Sequence, residues 1–144
     1  MNSLDDIAAR LRACGDLAAT LAVSFDGFEA IRSAARACED LDPGLLPAFM
    51  LAAGAAVEGR NTVAAAPSLP RAHGGRPGVP EPSADVGEAA DGLAALAGLL
   101  AGRLSAAAAQ AAAPGDRDAC AVAVGAAVQI GRLLTWSSDA SAVR

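Results

Sequence analysis

Few residues in this chain have the types and spacing that chemistry requires. Asp85, Glu88 and Asp91 stand three apart where a helix is expected to begin. Carboxylates so spaced lie close together on a helix and can share a divalent cation. The same three residues also suit a solvated first turn that complements the helix dipole. His73 is the only histidine, set between Arg71 and Arg76 beside Gly74 and Gly75. It makes a small basic loop that could meet an anion, or a solvated stretch of linker. A single histidine excludes two-histidine zinc sites and di-iron sites built from two Glu-x-x-His pairs. Cys14, Cys38 and Cys120 fall at apolar-facing positions. With the one histidine in a linker they lack the base that would make a thiolate, so inert buried thiols are expected. Serine nucleophiles lack a partner for the same reason. No glycine run has phosphate-loop or dinucleotide spacing. The chain is therefore read with no catalytic residues, no metal ligands and no cofactor.

The acidic turn at 85–91 supports one competing reading. It resembles, weakly, the Mg²⁺-binding carboxylates of all-helical nucleotide pyrophosphohydrolases. That resemblance implies a second acidic pair on a facing helix. The candidates for it, Glu39, Asp40 and Asp42, sit at a helix end.

Charge and composition narrow the partners. The net charge is −5, and all 11 basic residues are arginine, with no cluster among them. Nucleic acid calls for a concentrated basic face, so none is expected as a partner. The N-terminus has neither a positive region nor an apolar run, so it does not read as a signal peptide. Two alanine-rich stretches, 93–113 and 119–135, approach transmembrane length. Each carries an Arg and a Gln, and alanine favours lipid only weakly, so no membrane is expected. Three scattered cysteines build no disulfide framework, which suggests a reduced, cytoplasmic protein.

The elements follow from periodicity. Roughly a quarter of the residues are alanine, while Leu, Ile, Val and Phe together make little more than a fifth. Such a chain folds through helix propensity and close backbone packing. Leu4, Ile7, Leu11, Cys14, Ala18, Leu21, Phe25, Phe28, Ile31, Ala35 and Cys38 form a nearly unbroken heptad seam. It predicts one long helix over about 3–40, bent near Gly27, with a hairpin broken at an Asp26–Glu29 capping box as the alternative. A second helix follows Leu41-Asp42-Pro43-Gly44, starting at Pro43 or as late as Leu46, and Pro67 stops it. Residues 67–83 are dominated by Pro and Gly and read as a flexible linker long enough to cross a bundle. The matches Pro67-x-x-Pro70 and Pro77-x-x-Pro80 arise readily in such composition. A third helix runs from about Ser83 or Asp85 to Pro114. The last runs from a cap at Asp116 to Ser137, leaving 138–144 as a disordered tail.

The run from Ala119 to Leu134 has few polar interruptions and is expected at the centre of the domain. Its small face of Ala119, Ala123, Ala127 and Gly131 would lie on Ala97, Ala101, Ala108 and Ala112. The whole chain, 1–144, is read as one all-α domain: an antiparallel bundle of four helices, or five if the first is broken, with a long crossover. A first helix of about 38 residues would span roughly 57 Å and outreach its neighbours. That leaves Leu4, Ile7 and Leu11 without a partner inside the chain, and Trp136 free to close the bundle end or anchor a partner. The expected function is a non-enzymatic protein–protein interaction or scaffold module that binds another protein or itself, as a homodimer.

Overall fold

The computed structural model describes residues 3–70 and 85–142, with side chains from Leu4 through Thr135. Five helices account for nearly all of them: α1 (Ser3–Ala13), α2 (Leu17–Cys38), α3 (Leu46–Ala64), α4 (Val86–Gln110) and α5 (Pro114–Ala142). Among the described residues there is no strand. The expected antiparallel helical bundle is what forms, in its five-helix version.

The first helix is a correction. It breaks at residues 14–16, well before Gly27, and α2 passes through Asp26 and Gly27 without interruption. Asp16 is the cap: its backbone is extended and its carboxylate accepts from the Ala19 amide at 2.7 Å. That bond satisfies one of the donors a helix start leaves orphaned. The unbroken heptad phase had argued for one helix, but α1 folds back on α2 and both bury the same seam. Ile7 of α1 lies within 3.6 Å of where a Gly27 side chain would begin, and Arg10 pairs with Asp26 at 3.1 Å. The suggested cap at Asp26 is thus a mid-helix carboxylate, 5% exposed and tied to α1.

Four helices close a ring: α2 packs on α3, α3 on α5, α5 on α4, and α4 back on α2, while α1 lies over the α2–α4 side. Neighbours around the ring are antiparallel. Gly27 of α2 meets Leu100 of α4, whereas Thr20 and Ala107 line a common cavity farther along. The residues just past α3 meet the first turn of α5, where Pro67 approaches Gly115. Chain order is therefore up, down, down, up, and the chain leaves α3 at one end of the bundle and enters α4 at the other. The core between these helices holds Phe28, Phe49, Leu21, Ile31, Leu93, Leu100, Leu104, Ile130 and Leu134, all fully buried. Each such side chain contributes about 1.5–3 kcal/mol of burial. Gly59 lets α2 and α3 come close: a Cβ there would stand 2.5 Å from the Phe28 ring.

Other boundaries also differ from expectation. Asp42 makes a turn and not a cap, accepting from Gly44 N at 2.9 Å, and α3 starts at Leu46, the later of the two expected starts, with Pro47 where a missing N–H costs nothing. α5 begins at Pro114, so Asp116 lies within its first turn and is not the cap. There it is 2% exposed and accepts from Ser68, at 2.9 Å from the amide and 2.6 Å from the hydroxyl. The start of the expected linker is thereby fixed, since Ser68 is bound and Leu69 packs on the core. The rest of that linker, with His73 and the second proline pair, lies outside the described residues. α5 runs to Ala142, beyond the expected end at Ser137.

The central position of α5 is the other correction. Ala119, Cys120, Ala123, Ala127, Ile130 and Leu134 are buried, and α4 is its most extensive neighbour, as the small-residue pattern implied. Its opposite face is open: Val122 is 62% and Val128 38% exposed. The most enclosed helix is α2, which packs against α1, α3 and α4.

Candidate interaction surface

The outer side of the α4–α5 hairpin is built from residues that are small by type. α4 turns Gly98, Gly102 and Ala109 outward, while its leucines at 93, 96, 100 and 104 point into the bundle. α5 turns Val122, Gly125 and Val128 outward for the same reason: its bulky positions are used against α3 and α4. Where the two helices meet, Ala94, Gly98, Ala101, Ala127 and Gly131 leave a shallow apolar groove of about 550 Å³, with Val128 and Arg132 on its rim. Side chains this short keep the helices close together and leave the surface between them unfilled.

Several charged groups join one helix to another. Glu29 accepts two bonds from Arg32 at 3.2 Å and one from Arg60 of α3. Burial pushes its carboxyl up, but the two guanidiniums outweigh that and hold it below its ordinary value. At the α1–α2 corner a cavity of about 220 Å³ is lined by Cys14, Asp16, Thr20, Arg103 and Gln110. Its polar groups serve helix ends: Cys14 Sγ donates to Arg10 O at 3.1 Å, Thr20 Oγ1 to Asp16 O at 2.9 Å, and Arg103 to Arg12 O.

Cys38 and Cys120 are buried as expected, and Cys14 is half-buried. Burial pushes the Cys38 and Cys120 thiols up, and the Asp116 carboxylate adds to the effect at Cys120. Neither is poised to become a thiolate. In the acidic turn, Asp85 caps α4, accepting from Gly87 N at 2.8 Å and Glu88 N at 3.3 Å, while Glu88 and Asp91 are exposed. Among the described residues no group of three His, Cys, Asp or Glu side chains is placed to hold a metal ion.

The residues expected to bind a partner are placed differently from the expectation. Ile7 and Leu11 are 1% and 0% exposed, buried inside their own chain, and Leu4 is half-buried beside α4. The free seam was a consequence of a helix too long for its neighbours, and the break at 14–16 removes it. The side chain of Trp136 lies outside the described residues. The exposed valines of α5 were legible only as part of an apolar run; the exposure of one side needed the ring of helices to be known. By length and composition α4 and α5 could each cross a membrane. The leucines at 93, 96, 100 and 104 of α4 and Ile130 and Leu134 of α5 face the bundle, while Val122 and Val128 of α5 are exposed. No family model, no curated protein and no solved structure matches this chain.

Proposed function

We propose that the chain is a non-enzymatic helical interaction module, working in a reducing, cytoplasmic setting, and that the outer face of the α4–α5 hairpin is what it presents to a protein partner. The observation that carries this reading is the outer side of α5, where Val122 and Val128 are both exposed and Val128 also borders the groove of alanine and glycine. Contiguous apolar surface with short side chains accepts another helix at close range, and grouped exposure of this kind marks contact sites. The polar contacts support the reading by their use, since Arg10 with Asp26 and Arg60 with Glu29 join helices and Asp116 holds Ser68 just past α3.

A photo-reactive amino acid at Val122 tests this in the producing cell, with one at exposed Glu58 of α3 as control. Adducts to protein at 122 and not at 58 are expected; equal or absent adducts overturn the reading. The same reading expects no rise in melting temperature with millimolar Mg²⁺ and a nucleoside triphosphate. A clear rise would favour the hydrolase built on Asp85, Glu88 and Asp91.

A further inference from the structure

The exposed stripe of α5 has an order that the groove alone does not explain. Asp118, Val122, Gly125, Val128 and Arg132 are all exposed and recur every three or four residues, which sets them along one face. Within this set the two valines lie at equal distances from Gly125 and so do the two opposite charges, with exposed Ala121 and Gln129 between them. Val122 and Val128 stand three residues to either side of Gly125, and Asp118 and Arg132 stand seven. At 1.5 Å per residue these are about 4.5 Å and about 10.5 Å from the centre. Neither Asp118 nor Arg132 has a hydrogen-bond or ion-pair partner among the described residues, unlike Arg10, Glu29 and Arg60.

We infer that this face binds a second copy of the same chain, α5 against α5 in antiparallel, through a two-fold axis at Gly125. The inference rests on the interaction reading above and names its partner and register. The symmetry then dictates the contacts. Asp118 meets Arg132 of the partner subunit, Arg132 meets the partner's Asp118, and each Val122 lies level with the partner's Val128. Gly125 sits at the crossing, where a Cβ would find nothing of its own chain within 4 Å. Its bare backbone is what allows two helices to approach closely there. A two-fold interface must be self-complementary, and this stripe is: one acid and one base at equal distances from the axis. A parallel pairing in the same register would set Asp118 against Asp118 and Arg132 against Arg132. A slide by one helical repeat would lose both ion pairs. The charges thus fix orientation and register, which is their usual work at an interface, while the valines and the close backbones supply contact.

Charge reversal in the full chain tests the register, because symmetry doubles every change. Asp118→Arg places four arginines at the contact, and Arg132→Asp places four aspartates. Either single variant is expected to weaken dimerisation by about tenfold or more at low salt, read by sedimentation equilibrium. The double variant, D118R with R132D, restores both pairs in swapped sense and is expected to return to within about threefold of the starting chain. Both positions are exposed, and unchanged melting temperatures at dilution confirm that each variant folds. A starting chain that stays monomeric at high micromolar concentration overturns the proposal. So do single variants that dimerise unchanged, and a double variant that is not rescued. Photo-adducts at Val122 whose mass is not twice that of the chain, together with a failed cycle, overturn self-pairing and leave the interaction reading standing. Co-flotation of the starting chain with phosphatidylcholine–phosphatidylserine vesicles overturns it in favour of a lipid surface.

Discussion

α2 and α5 are both alanine-rich helices with a glycine near the middle, yet those glycines live in different worlds. Gly27 of α2 lies under Leu100 of α4 and Ile7 of α1; Gly125 of α5 meets nothing outside its own helix. α2 also buries Thr20, Ser24 and Asp26, whereas among the described side chains of α5 the buried positions beyond its first turn are all apolar. The helix with the polar residues is the enclosed one, and the more apolar run is half open. In a chain this rich in alanine, mean apolarity largely counts alanine, which tolerates exposure and favours helix wherever it stands. Enclosure is better marked by large side chains at regular spacing, and α2 has Leu21, Phe28 and Ile31 where α5 has valines facing out.

The contrast is broken most forcefully at glycine. Gly59→Val, at the α2–α3 contact, is expected to cost about 3 kcal/mol, because the added carbons meet the Phe28 ring with no room to yield. Gly125→Ala, on the open face, is expected to stabilise the dilute chain by up to about 1 kcal/mol through helix propensity. Denaturant midpoints at unchanged slope measure both. A neutral Gly59→Val would mean that the α2–α3 interface is looser than the α5 surface.

Within α5 itself, Ala123→Leu should cost about 1–3 kcal/mol, since Ala123 is fully buried against its neighbours. Ala106→Leu, exposed on α4, should stay within about 0.5 kcal/mol of the starting chain. Equal effects would erase the inner and outer faces of the hairpin. Next in size, Ser68→Ala removes the hydroxyl donor to buried Asp116 and is expected to cost about 1–2 kcal/mol. Trypsin should then cut faster after Arg71. An unchanged rate would show that the backbone bond from Ser68 holds the segment alone.

The smallest effect belongs to the α2–α3 ion cluster and reads out in pH. Glu29 titrates below its ordinary value of 4.5 in the folded chain because Arg32 and Arg60 favour its charge. Its contribution is therefore complete above the unfolded value and drains away as pH falls through the lower folded one. Glu29→Gln should lower stability at neutral pH and flatten the loss of stability below pH 4.5. A midpoint profile as steep as that of the starting chain would place the acid sensitivity elsewhere.

Much of this was legible in the residues. The seam from Ile7 to Cys38 named most of the buried positions because large apolar side chains recur at helical spacing, although Cys14, Ala18 and Phe25 are only half-buried. Asp85 was readable as a cap, and so was the α4–α5 pairing, from small residues four apart. The break at Asp16 was not, since a hairpin that buries one seam on both arms keeps the phase that a single helix would keep. Nor was the bond from Ser68 to Asp116, because contacts between residues 48 apart leave no local trace. The free face of α5 was hidden for a related reason. An outward valine and an inward valine look alike until the neighbouring helices are in place, and the mirrored charges about Gly125 carry meaning only on an exposed face.

The Ser68–Asp116 clasp lies between two stretches that are distant in sequence, one on each side of the crossover. A single cut anywhere in 71–84 would therefore leave it bridging two polypeptides, one carrying α1 to α3 and the other α4 and α5. Completion of the fold would then become a bimolecular event, with a yield set by the concentration of each piece. Buried Asp116 would be matched only when the piece bearing Ser68 arrives. A bond that anchors a loop in the intact chain is, in the divided one, a recognition element: the two pieces could be made separately, labelled independently and used to report when they meet.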